Sequence, residues 1–379
     1  MDESNVIKGR GATRSPKPRF LNTTTVPVDD GWKAQDLINC EFSGKAPGTH
    51  LFPDKTRTLI TTNQSPDVPF NQSINPYKGC EHGCVYCFAR PTHAFLDLSP
   101  GLDFETKIFY KTNPVDRLRE ALDNPRYVCE PIAMGTNTDP YQPAEKELRV
   151  TRRILETLLN YRHPVSIVTK GVLILRDIDI LQELAKHELV SVAISVTTLQ
   201  TELKTKLEPR TASPNARLRV VRTLSSAEIP VGVMVAPIIP MLNDHELEKI
   251  VHESAKEGAE FAGYIMIRLP LEVRPLFEEW LEQHYPMKAS RIMNRIRDLH
   301  RGREYTARFG ERMRGSGIYA ELISKRFALA LSKSGLPSFS SDLQPEGGER
   351  RLFANTRGTG ALRTSRFQRP GELPLEFDD

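Results

Sequence analysis

The sequence has no long apolar run and only five cysteines among its 379 residues. No stretch approaches the roughly 18 successive apolar residues that suggest a membrane span, and the first residues lack the apolar segment of a secretory signal. We therefore expect a cytoplasmic protein that does not use a membrane as a partner. The cysteines are odd in number and mostly clustered, which argues against a disulfide framework. In a reducing compartment, clustered thiols favour a metal site.

Charge is nearly balanced over the whole chain but uneven along it. The formal net charge is +4, and 39% hydrophobic with 26% charged residues is typical of a soluble globular protein with a proper core. Residues 288–326, however, contain eleven Lys or Arg against four Asp or Glu. This stretch is either a set of solvated helix faces or a surface that follows phosphates. Tyr305 and Phe309, among its arginines, either stack on bases or pack inward.

Short apolar runs alternate with amphipathic stretches after residue 127. The runs are rich in β-branched residues, as expected for parallel strands buried on both faces, and cover 127–135, 164–170, 189–197, 229–239 and 261–269. Helical patterns lie between them and include 143–160, 213–224 with Ser213 as N-cap, and 243–259 with Asn243 or Asp244 as N-cap. Successive right-handed units of this kind predict an α/β fold that is a parallel barrel or part of one.

The chain divides into four predicted segments. Residues 1–60 form an irregular N-terminal arm, which either wraps the core or is partly disordered, and residues 61–285 form the strand–helix core. Residues 286–340 form a basic helical extension, and residues 341–379 a tail that we expect to be disordered. A short first strand near residues 72–78 leads into the clustered cysteines. The cysteine loop therefore opens at the rim where the later strands end, which is where such folds carry their chemistry.

Three cysteines lie within eight residues, in "CEHGCVYC". Cys80, Cys84 and Cys87 have the spacing C-x3-C-x2-C, and Gly79 and Gly83 supply the backbone freedom that a tight loop needs. Three thiols so close together require a loop that curls round a compact centre, and metal coordination explains this better than a chance cluster.

A structural zinc site would need a fourth ligand. The local candidates are His82 and His93, while Cys129 lies far along the chain. An iron–sulfur cube held by three cysteines would instead leave one iron open to a small molecule. The spacing favours the cluster over zinc.

This loop resembles the signature of the radical S-adenosylmethionine (radical SAM) superfamily, in which an aromatic residue, here Tyr86, precedes the last cysteine. The resemblance implies a [4Fe-4S] cluster with Cys80, Cys84 and Cys87 as ligands and Tyr86 in the cofactor site. It also implies S-adenosyl-L-methionine (SAM) as cosubstrate, with its amino and carboxylate groups on the open iron. The family fold is a partial parallel (β/α)6-type barrel, in agreement with the alternation of strands and helices.

Further segments resemble the spore photoproduct lyase branch, often labelled DNA-repair-photolyase-like, and in particular its bacterial members of unsettled substrate. They are "GTNTDPYQPAE" (135–145), "VTK" (168–170), "ISV" (194–196), "LEPRTASP" (207–214) and "VMVAPIIP" (233–240). The resemblance covers roughly residues 70–270.

The same resemblance assigns side chains to the SAM site. Lys170 and Ser195 match residues that hold the carboxylate and ribose end of SAM, and an ammonium and a hydroxyl at adjacent strand ends suit a carboxylate and a diol. Arg210 serves the carboxylate instead of Lys170 or together with it. The segment that cradles the SAM amine or ribose corresponds to Thr136, Thr138 and Asp139, of which Thr138 is better explained by ordinary strand-end hydrogen bonding.

The sequence departs from the lyase at the position of its hydrogen-donating cysteine. The matching residues are Gly135, Thr136 and Asn137, and Cys129 lies six residues upstream of Gly135, about 20 Å from the rim at the rise of a strand. The catalytic hydrogen donor is therefore unknown, with Tyr86 and Tyr141 as the nearest alternatives, and thymine-dimer splitting by the same route is doubtful.

The leading hypothesis is a radical SAM enzyme that cleaves SAM reductively to a 5′-deoxyadenosyl radical for hydrogen abstraction. Its expected partners are DNA or RNA, bound through the basic residues 288–326 in a DNA-repair-lyase-like reaction, and a reductant such as flavodoxin or ferredoxin. One alternative is a non-catalytic zinc or iron–sulfur protein that binds nucleic acid. Another is a radical SAM enzyme that acts on a protein or a small molecule.

Overall fold

A computed structural model describes residues 9–21, 48–303, 305–338 and 362–371. Its centre is a seven-stranded sheet, and a smaller three-stranded sheet lies beside it. In chain order the strands are β1 His50–Asp54, β2 Thr61–Thr62, β3 Gln72–Ile74, β4 Tyr77–Lys78, β5 Lys107–Lys111, β6 Ile132–Met134, β7 Val165–Thr169, β8 Val190–Ser195, β9 Val231–Ile238 and β10 Ala262–Met266.

The large sheet has the order β10-β9-β8-β7-β6-β3-β2, and the small sheet has the order β1-β5-β4. Every neighbouring pair from β3 to β10 in the large sheet is parallel, and only β2 joins it antiparallel. These six parallel strands form the partial (β/α)6 barrel that the alternation predicts, so the expected fold is confirmed.

The described α-helices follow the strands as crossovers and then continue beyond β10. They are α1 Leu102–Thr106, α2 Pro114–Leu122, α3 Glu145–Leu148, α4 Val150–Asn160, α5 Ile178–Lys186, α6 Thr201–Leu207, α7 Pro214–Ser226, α8 Leu247–Lys256, α9 Val273–His284, α10 Pro286–Leu299 and α11 Gly317–Ser334. Short 3₁₀ helices cover Arg90–Leu96, Val172–Asp177, Asp244–Glu246 and Thr364–Arg366. No helix in the described part of the chain is both long and apolar enough to span a membrane.

Three local predictions meet different outcomes. Ser213 caps α7 as expected, since its Oγ accepts a hydrogen bond of 3.3 Å from the N–H of Ala216. The predicted helix over 143–160 is instead two helices, because Arg149 takes a left-handed conformation with φ of 49°. Asn243 does not cap a helix with its side chain. Its Oδ1 is buried and accepts a hydrogen bond of 2.6 Å from the N–H of Ile239.

The predicted strand over 127–135 is also shorter than expected. Only Ile132–Met134 pairs in the sheet, and Val128 is 70% exposed. Pro131 immediately precedes the strand, and its lack of an N–H prevents it from joining the hydrogen-bond ladder as an interior residue. Cys129 is therefore half-buried in the approach to β6, at the end of the sheet opposite the carboxyl rim.

The two faces of the sheet differ in the size of their side chains. One face packs on the helices as the main core, with Ile167, Val192 and Val233 among its members. The other face carries small residues at the alternating positions Ala133, Ser166, Ser191 and Gly232. Polar and ionisable residues then follow at the carboxyl ends of these strands.

The predicted arm and tail lie mainly outside the described residues. In the tail, the described residues 362–371 contact the core, where Phe367 stacks on Tyr161 and Arg369 donates a hydrogen bond of 3.0 Å to the carbonyl of Leu122. The described part of the extension is largely helical, in α10 and α11.

Gly135, which follows β6, gives a test of the geometry at the rim. Its φ is +85°, and a Cβ there would lie 1.9 Å from the carbonyl oxygen of Val168. We expect Gly135→Ala to lower the free energy of unfolding by about 2–3 kcal/mol, because it combines a strained backbone with a clash against main chain. Urea unfolding of the metal-free protein measures this. Gly48→Ala is the control, since nothing lies within 4 Å of a Cβ at Gly48, and equal effects of the two variants would contradict the prediction.

Candidate active site

The three clustered cysteines lie on a tight loop that directly follows β4. Cys80 and Cys84 are buried and Cys87 is half-buried. Gly79 and Gly83 have φ values of +80° and +67°. They therefore supply the left-handed turns that the close spacing of the cysteines predicts. Burial raises the pKa of Cys84 to about 12 and that of Cys80 well above its ordinary value. A cationic centre is therefore needed to convert these thiols to the thiolates that bind metal.

Neither nearby histidine is a free fourth ligand. His82 Nδ1 lies 3.3 Å from Asp139 Oδ2, and His93 Nε2 lies 3.1 Å from the carbonyl oxygen of Lys107. Burial lowers the pKa of His93 to about 4. Among the described residues, no three metal-ligating side chains converge closely enough to hold a single ion, so the three cysteines as cluster ligands remain a prediction.

Arg90 stabilises the backbone of the cysteine loop. This arginine is fully buried, and its Nε donates a hydrogen bond of 2.9 Å to the carbonyl of Cys84. It also donates to the carbonyls of Pro100 and Gly101 and forms an ion pair of 2.5 Å with Glu105. One guanidinium therefore fixes the backbone of the loop to the segment that leads into α1.

An N-terminal strap, defined here as residues 9–21, covers the outside of the loop. Glu105 accepts hydrogen bonds from the N–H groups of Gly11 (3.0 Å) and Ala12 (2.8 Å), and its carbonyl accepts one from Arg10 (2.9 Å). A Cβ at Gly11 would lie only 1.7 Å from the carbonyl oxygen of Gly83. The strap therefore packs backbone to backbone on the cysteine loop.

Asp139 joins the loop to the end of β7. Its Oδ1 accepts hydrogen bonds from Thr169 Oγ1 (2.6 Å) and the Tyr141 N–H (2.8 Å), while Oδ2 accepts one from the Lys170 N–H (2.8 Å) and faces His82. Burial raises the pKa of Asp139, but His82 and these donors outweigh it and lower that pKa to about 2. The carboxylate is thus ionised and already surrounded by donors from the protein.

Lys170 and Ser195 lie side by side at the rim. The register of β7 and β8 pairs Thr169 with Ile194, so the next residue on each strand brings these two together. Burial lowers the pKa of Lys170, but the opposing effect, led by the negative charge of Glu208, is larger, so the net shift is upward and the side chain is an ammonium. Neither Lys170 Nζ nor Ser195 Oγ forms a hydrogen bond or ion pair with a described residue. A cation and a hydroxyl therefore remain available beside the cysteines.

Glu208 is the anion that neighbours Lys170. It is fully buried and accepts hydrogen bonds from the Tyr86 hydroxyl, from Arg217 and, at 2.7 Å, from Thr197 Oγ1. Burial raises its pKa, but the charges of Arg217 and Lys170 lower it to about 2. Arg217 also donates a hydrogen bond of 2.9 Å to the carbonyl of Ser195. This network joins the loop, the end of β8 and helix α7.

Comparison with known proteins identifies the family. Residues 74–253 match the Radical SAM superfamily. An uncharacterized protein of Mycobacterium tuberculosis is 36% identical over 281 residues, which are 74% of this chain and 79% of that protein. The chain belongs to the radical SAM superfamily. It is therefore a radical SAM enzyme.

Further relatives share sequence or fold with this chain. An uncharacterized protein of Methanocaldococcus jannaschii is 30% identical over 222 residues, covering 59% of this chain and 79% of the relative. A solved structure of a spore photoproduct lyase mutant aligns with a TM-score of 0.57 at 16% identity, over 76% of this chain and 80% of that one. A second, of a lyase mutant with bound AdoMet and dinucleoside spore photoproduct, aligns at 0.56. These two likenesses show a shared fold.

The superfamily implies SAM and a [4Fe-4S] cluster, and the side chains at the rim fit both. The loop offers three thiols while the nearby histidines are engaged, as a cluster with one open iron requires. The Lys170 ammonium and the hydroxyls of Ser195 and Thr136 make no hydrogen bond with a described residue. They suit the carboxylate and ribose of SAM.

The other predicted cofactor residues of this radical SAM enzyme are engaged within the protein. Tyr86 donates its hydroxyl to Glu208, and Asp139 is saturated by donors. Arg210 forms an ion pair of 3.0 Å with Glu81 on the outer side of the loop. Their assignment to SAM stays a prediction, and the contacts show them as supports of the loop. Tyr141 also points into the core, where its hydroxyl donates a hydrogen bond of 3.1 Å to Asp177.

Sequence reasoning missed Glu105, Glu208 and Arg217. A signal existed for Arg217, because it occupies the same helical stripe as the buried residues Val220, Val221 and Leu224. A charged residue in such a stripe indicates a buried partner. Glu105 carried no local signal, since its partners in the strap are more than ninety residues away.

The strap and the loop together predict the effect of removing Glu105. Glu105→Ala leaves Arg90 as an uncompensated buried charge and frees the N–H groups of Gly11 and Ala12, so we expect a loss of about 3–5 kcal/mol in the free energy of unfolding. The measurement is urea unfolding together with the iron content after anaerobic reconstitution. Glu120→Ala, on an exposed pair with Arg117, is the control and should change neither. Unchanged stability and iron content in Glu105→Ala would show that the loop does not depend on this carboxylate.

The ionised carboxylates predict how stability varies with pH. Asp139 and Glu208 both have a folded-state pKa of about 2, below the ordinary values of about 4 for the unfolded chain. Their contribution is therefore present in full above pH of about 4.5 and is lost as the pH falls towards 2. We expect the melting temperature of the metal-free protein to drop over this window. Glu208→Gln should drop less steeply, whereas Glu183→Gln, an exposed control, should follow the wild type. Parallel curves for wild type and Glu208→Gln would refute the assignment.

Proposed function

We propose that this radical SAM enzyme cleaves SAM reductively at a [4Fe-4S] cluster held by Cys80, Cys84 and Cys87, and that its substrate is nucleic acid. The observation that carries the proposal is the uncommitted ammonium of Lys170, half-buried beside the cysteine loop and next to the free hydroxyl of Ser195. When bound and reduced, the cluster supplies the electron that splits SAM into methionine and a 5′-deoxyadenosyl radical, which abstracts a hydrogen atom. The electron comes from a reductant such as flavodoxin or ferredoxin.

Lys170 has the charge and position to hold the carboxylate of SAM. A charge-assisted hydrogen bond from a half-buried ammonium is stronger than a neutral one, and no carboxylate among the described residues lies within ion-pair distance to compete for it. Ser195 and Thr136 flank it at the ends of β8 and β6 and suit the hydroxyls of the ribose. Tyr86 stands next to the last cysteine but keeps its hydroxyl on Glu208.

Two carboxylates position Lys170 for this role. Asp139 holds its backbone N–H, and Glu208 favours its charged form. Because both carboxylates also bind side chains of the loop, His82 and Tyr86, the distance between the thiols and the ammonium is restrained from both sides. The chain thus orients the cosubstrate with groups fixed before binding.

The surface of residues 288–326 supports nucleic acid as the substrate. Six of its basic residues form ion pairs with carboxylates, namely Arg295, Arg297, Arg301, Arg308, Arg312 and Arg326. The remaining five form none with a described residue, and they are Lys288, Arg291, Arg303, Arg314 and Lys325. Phe309 is 56% exposed in the same region. Unpaired cations beside an exposed ring suit a phosphate backbone with bases, so we propose a DNA-repair-lyase-like reaction on DNA or RNA in the cytoplasm.

The first test is anaerobic production of 5′-deoxyadenosine. The protein is reconstituted with iron and sulfide, reduced, and supplied with SAM. We expect Cys84→Ala to form at least about 100-fold less 5′-deoxyadenosine than the wild type, because removing a ligand removes the cluster. Cys129→Ala is the matched control, since it removes a half-buried thiol far from the loop. It should form 5′-deoxyadenosine at the wild-type level. Lys170→Ala should raise the KM for SAM by about 10-fold or more with unchanged iron content.

Two outcomes would contradict this proposal. Zinc in place of iron after purification and reconstitution would favour a non-catalytic nucleic-acid-binding protein. Wild-type levels of 5′-deoxyadenosine from Cys84→Ala would show that SAM cleavage does not require the cysteine loop.

A further inference from the structure

Arg268, at the mouth of the barrel, is a half-buried arginine whose guanidinium has no hydrogen-bond or ion-pair partner among the described residues. It follows β10 by two residues, and its guanidinium lies 4.2 Å from the ring centre of Phe88, the residue next to Cys87. It forms no hydrogen bond or ion pair with a described residue. Cationic side chains that leave solvent normally acquire a partner, so this one indicates a ligand that the chain does not supply.

Asp67, whose negative charge acts on Arg268, is already engaged. Asp67 forms an ion pair of 2.5 Å with Arg312 and accepts a hydrogen bond of 2.6 Å from the N–H of Gly310. Arg312 is itself close enough to repel Arg268, and burial together with this repulsion lowers the pKa of Arg268. An added anion would relieve both the missing partner and the repulsion between the two guanidinium groups.

The surroundings of Arg268 are aromatic as well as basic. Phe88 keeps 43% of its surface exposed although one face is covered by the guanidinium. Phe309 stacks with Arg312 at 4.9 Å, and Arg312 is the guanidinium that repels Arg268. A planar cation binds phosphate oxygens in pairs, and exposed rings stack on bases regardless of sequence.

Arg268 and Phe88 lie beside the cysteine loop, where we propose that the cluster is bound. Cys87 is the least buried of the three cysteines, and Phe88 directly follows it in the chain. A group held between Phe88 and Arg268 would therefore lie beside the edge of the cysteine loop that opens outward. A carboxylate of a protein would satisfy the arginine but would leave the rings unused, so a nucleotide fits better.

We propose that Arg268 and Phe88 form a nucleotide subsite at the barrel mouth. Arg268 binds a backbone phosphate and Phe88 stacks on a base of the same strand, which places the target nucleotide against the cysteine loop. This subsite rests on the proposed action on nucleic acid and specifies where a strand enters.

The experiment measures binding of a fluorescein-labelled single-stranded DNA of about 12 nucleotides, and of the RNA of the same sequence, to the reconstituted enzyme by anaerobic anisotropy. The variants are Arg268→Gln, Arg268→Lys and Phe88→Ala, each checked for iron content and cluster absorbance. Arg222→Gln is a matched control, because Arg222 lies exposed on α7, outside residues 288–326, and forms an ion pair with Glu257. Phe95→Ala is the second control, since Phe95 is exposed but its ring contacts that of Phe20 in the strap.

We expect Arg268→Gln and Phe88→Ala each to raise the Kd for the oligonucleotide by about 10-fold. The Kd of Arg268→Lys should lie between those of Arg268→Gln and the wild type. Each control should change the Kd by less than about 3-fold. Arg268→Gln should also reduce the slope of log Kd against log salt by about one, the amount for a single phosphate contact.

Three results would overturn the subsite in distinguishable ways. Salt-dependent binding by the wild type with control-like affinities for Arg268→Gln and Phe88→Ala would remove the subsite and keep the proposed function. Equal affinity for thymidine 5′-monophosphate and the oligonucleotide would replace the strand by a free nucleotide. Absence of binding to both oligonucleotides by an enzyme that cleaves SAM would remove nucleic acid from the proposed function, and the subsite with it.

Discussion

Three buried carboxylates hold the cysteine loop, and each of them binds it to a different part of the fold. Asp139 connects His82 to the end of β7, Glu208 connects Tyr86 to α7 and β8, and Glu105 connects Arg90 to the N-terminal strap. The loop has little regular structure of its own, so its shape depends on these contacts. The position of the thiols relative to the strand ends follows from them.

Such an arrangement is stable only while every charge has its partner. An isolated buried carboxylate or guanidinium costs several kcal/mol, and a satisfied network recovers that cost through short, charge-assisted hydrogen bonds. The network around Glu208 meets this condition within the protein, whereas the ammonium of Lys170 and the guanidinium of Arg268 find no such partner among the described residues. These two cations of the rim are the places where the protein is electrostatically incomplete without ligands.

Much of the fold was readable from the sequence because its signals are local. The β-branched runs predict the parallel strands, and Gly79 and Gly83 predict the turns of the loop, since both depend on neighbouring residues. The rim was only partly readable. Lys170 and Ser195 are adjacent because of strand register, which the alternation implies, but Arg210 and Asp139 turn to partners on the loop that no spacing reveals. The short strand at Ile132–Met134 shows the same limit, because an apolar run does not state which of its residues pair.

The contact between Gly11 and Gly83 bears on the order in which this protein is made. The strap emerges first during synthesis, yet the carboxylate that binds it, Glu105, follows 94 residues later. The strap must therefore wait, without its partner, until the cysteine loop and α1 have left the ribosome. Because closing so long a loop is entropically costly, docking of the strap belongs to the late steps of folding, after the loop has its shape. Until the strap docks, the backbone of the loop at Gly83 lacks the cover that Gly11 gives it in the folded protein.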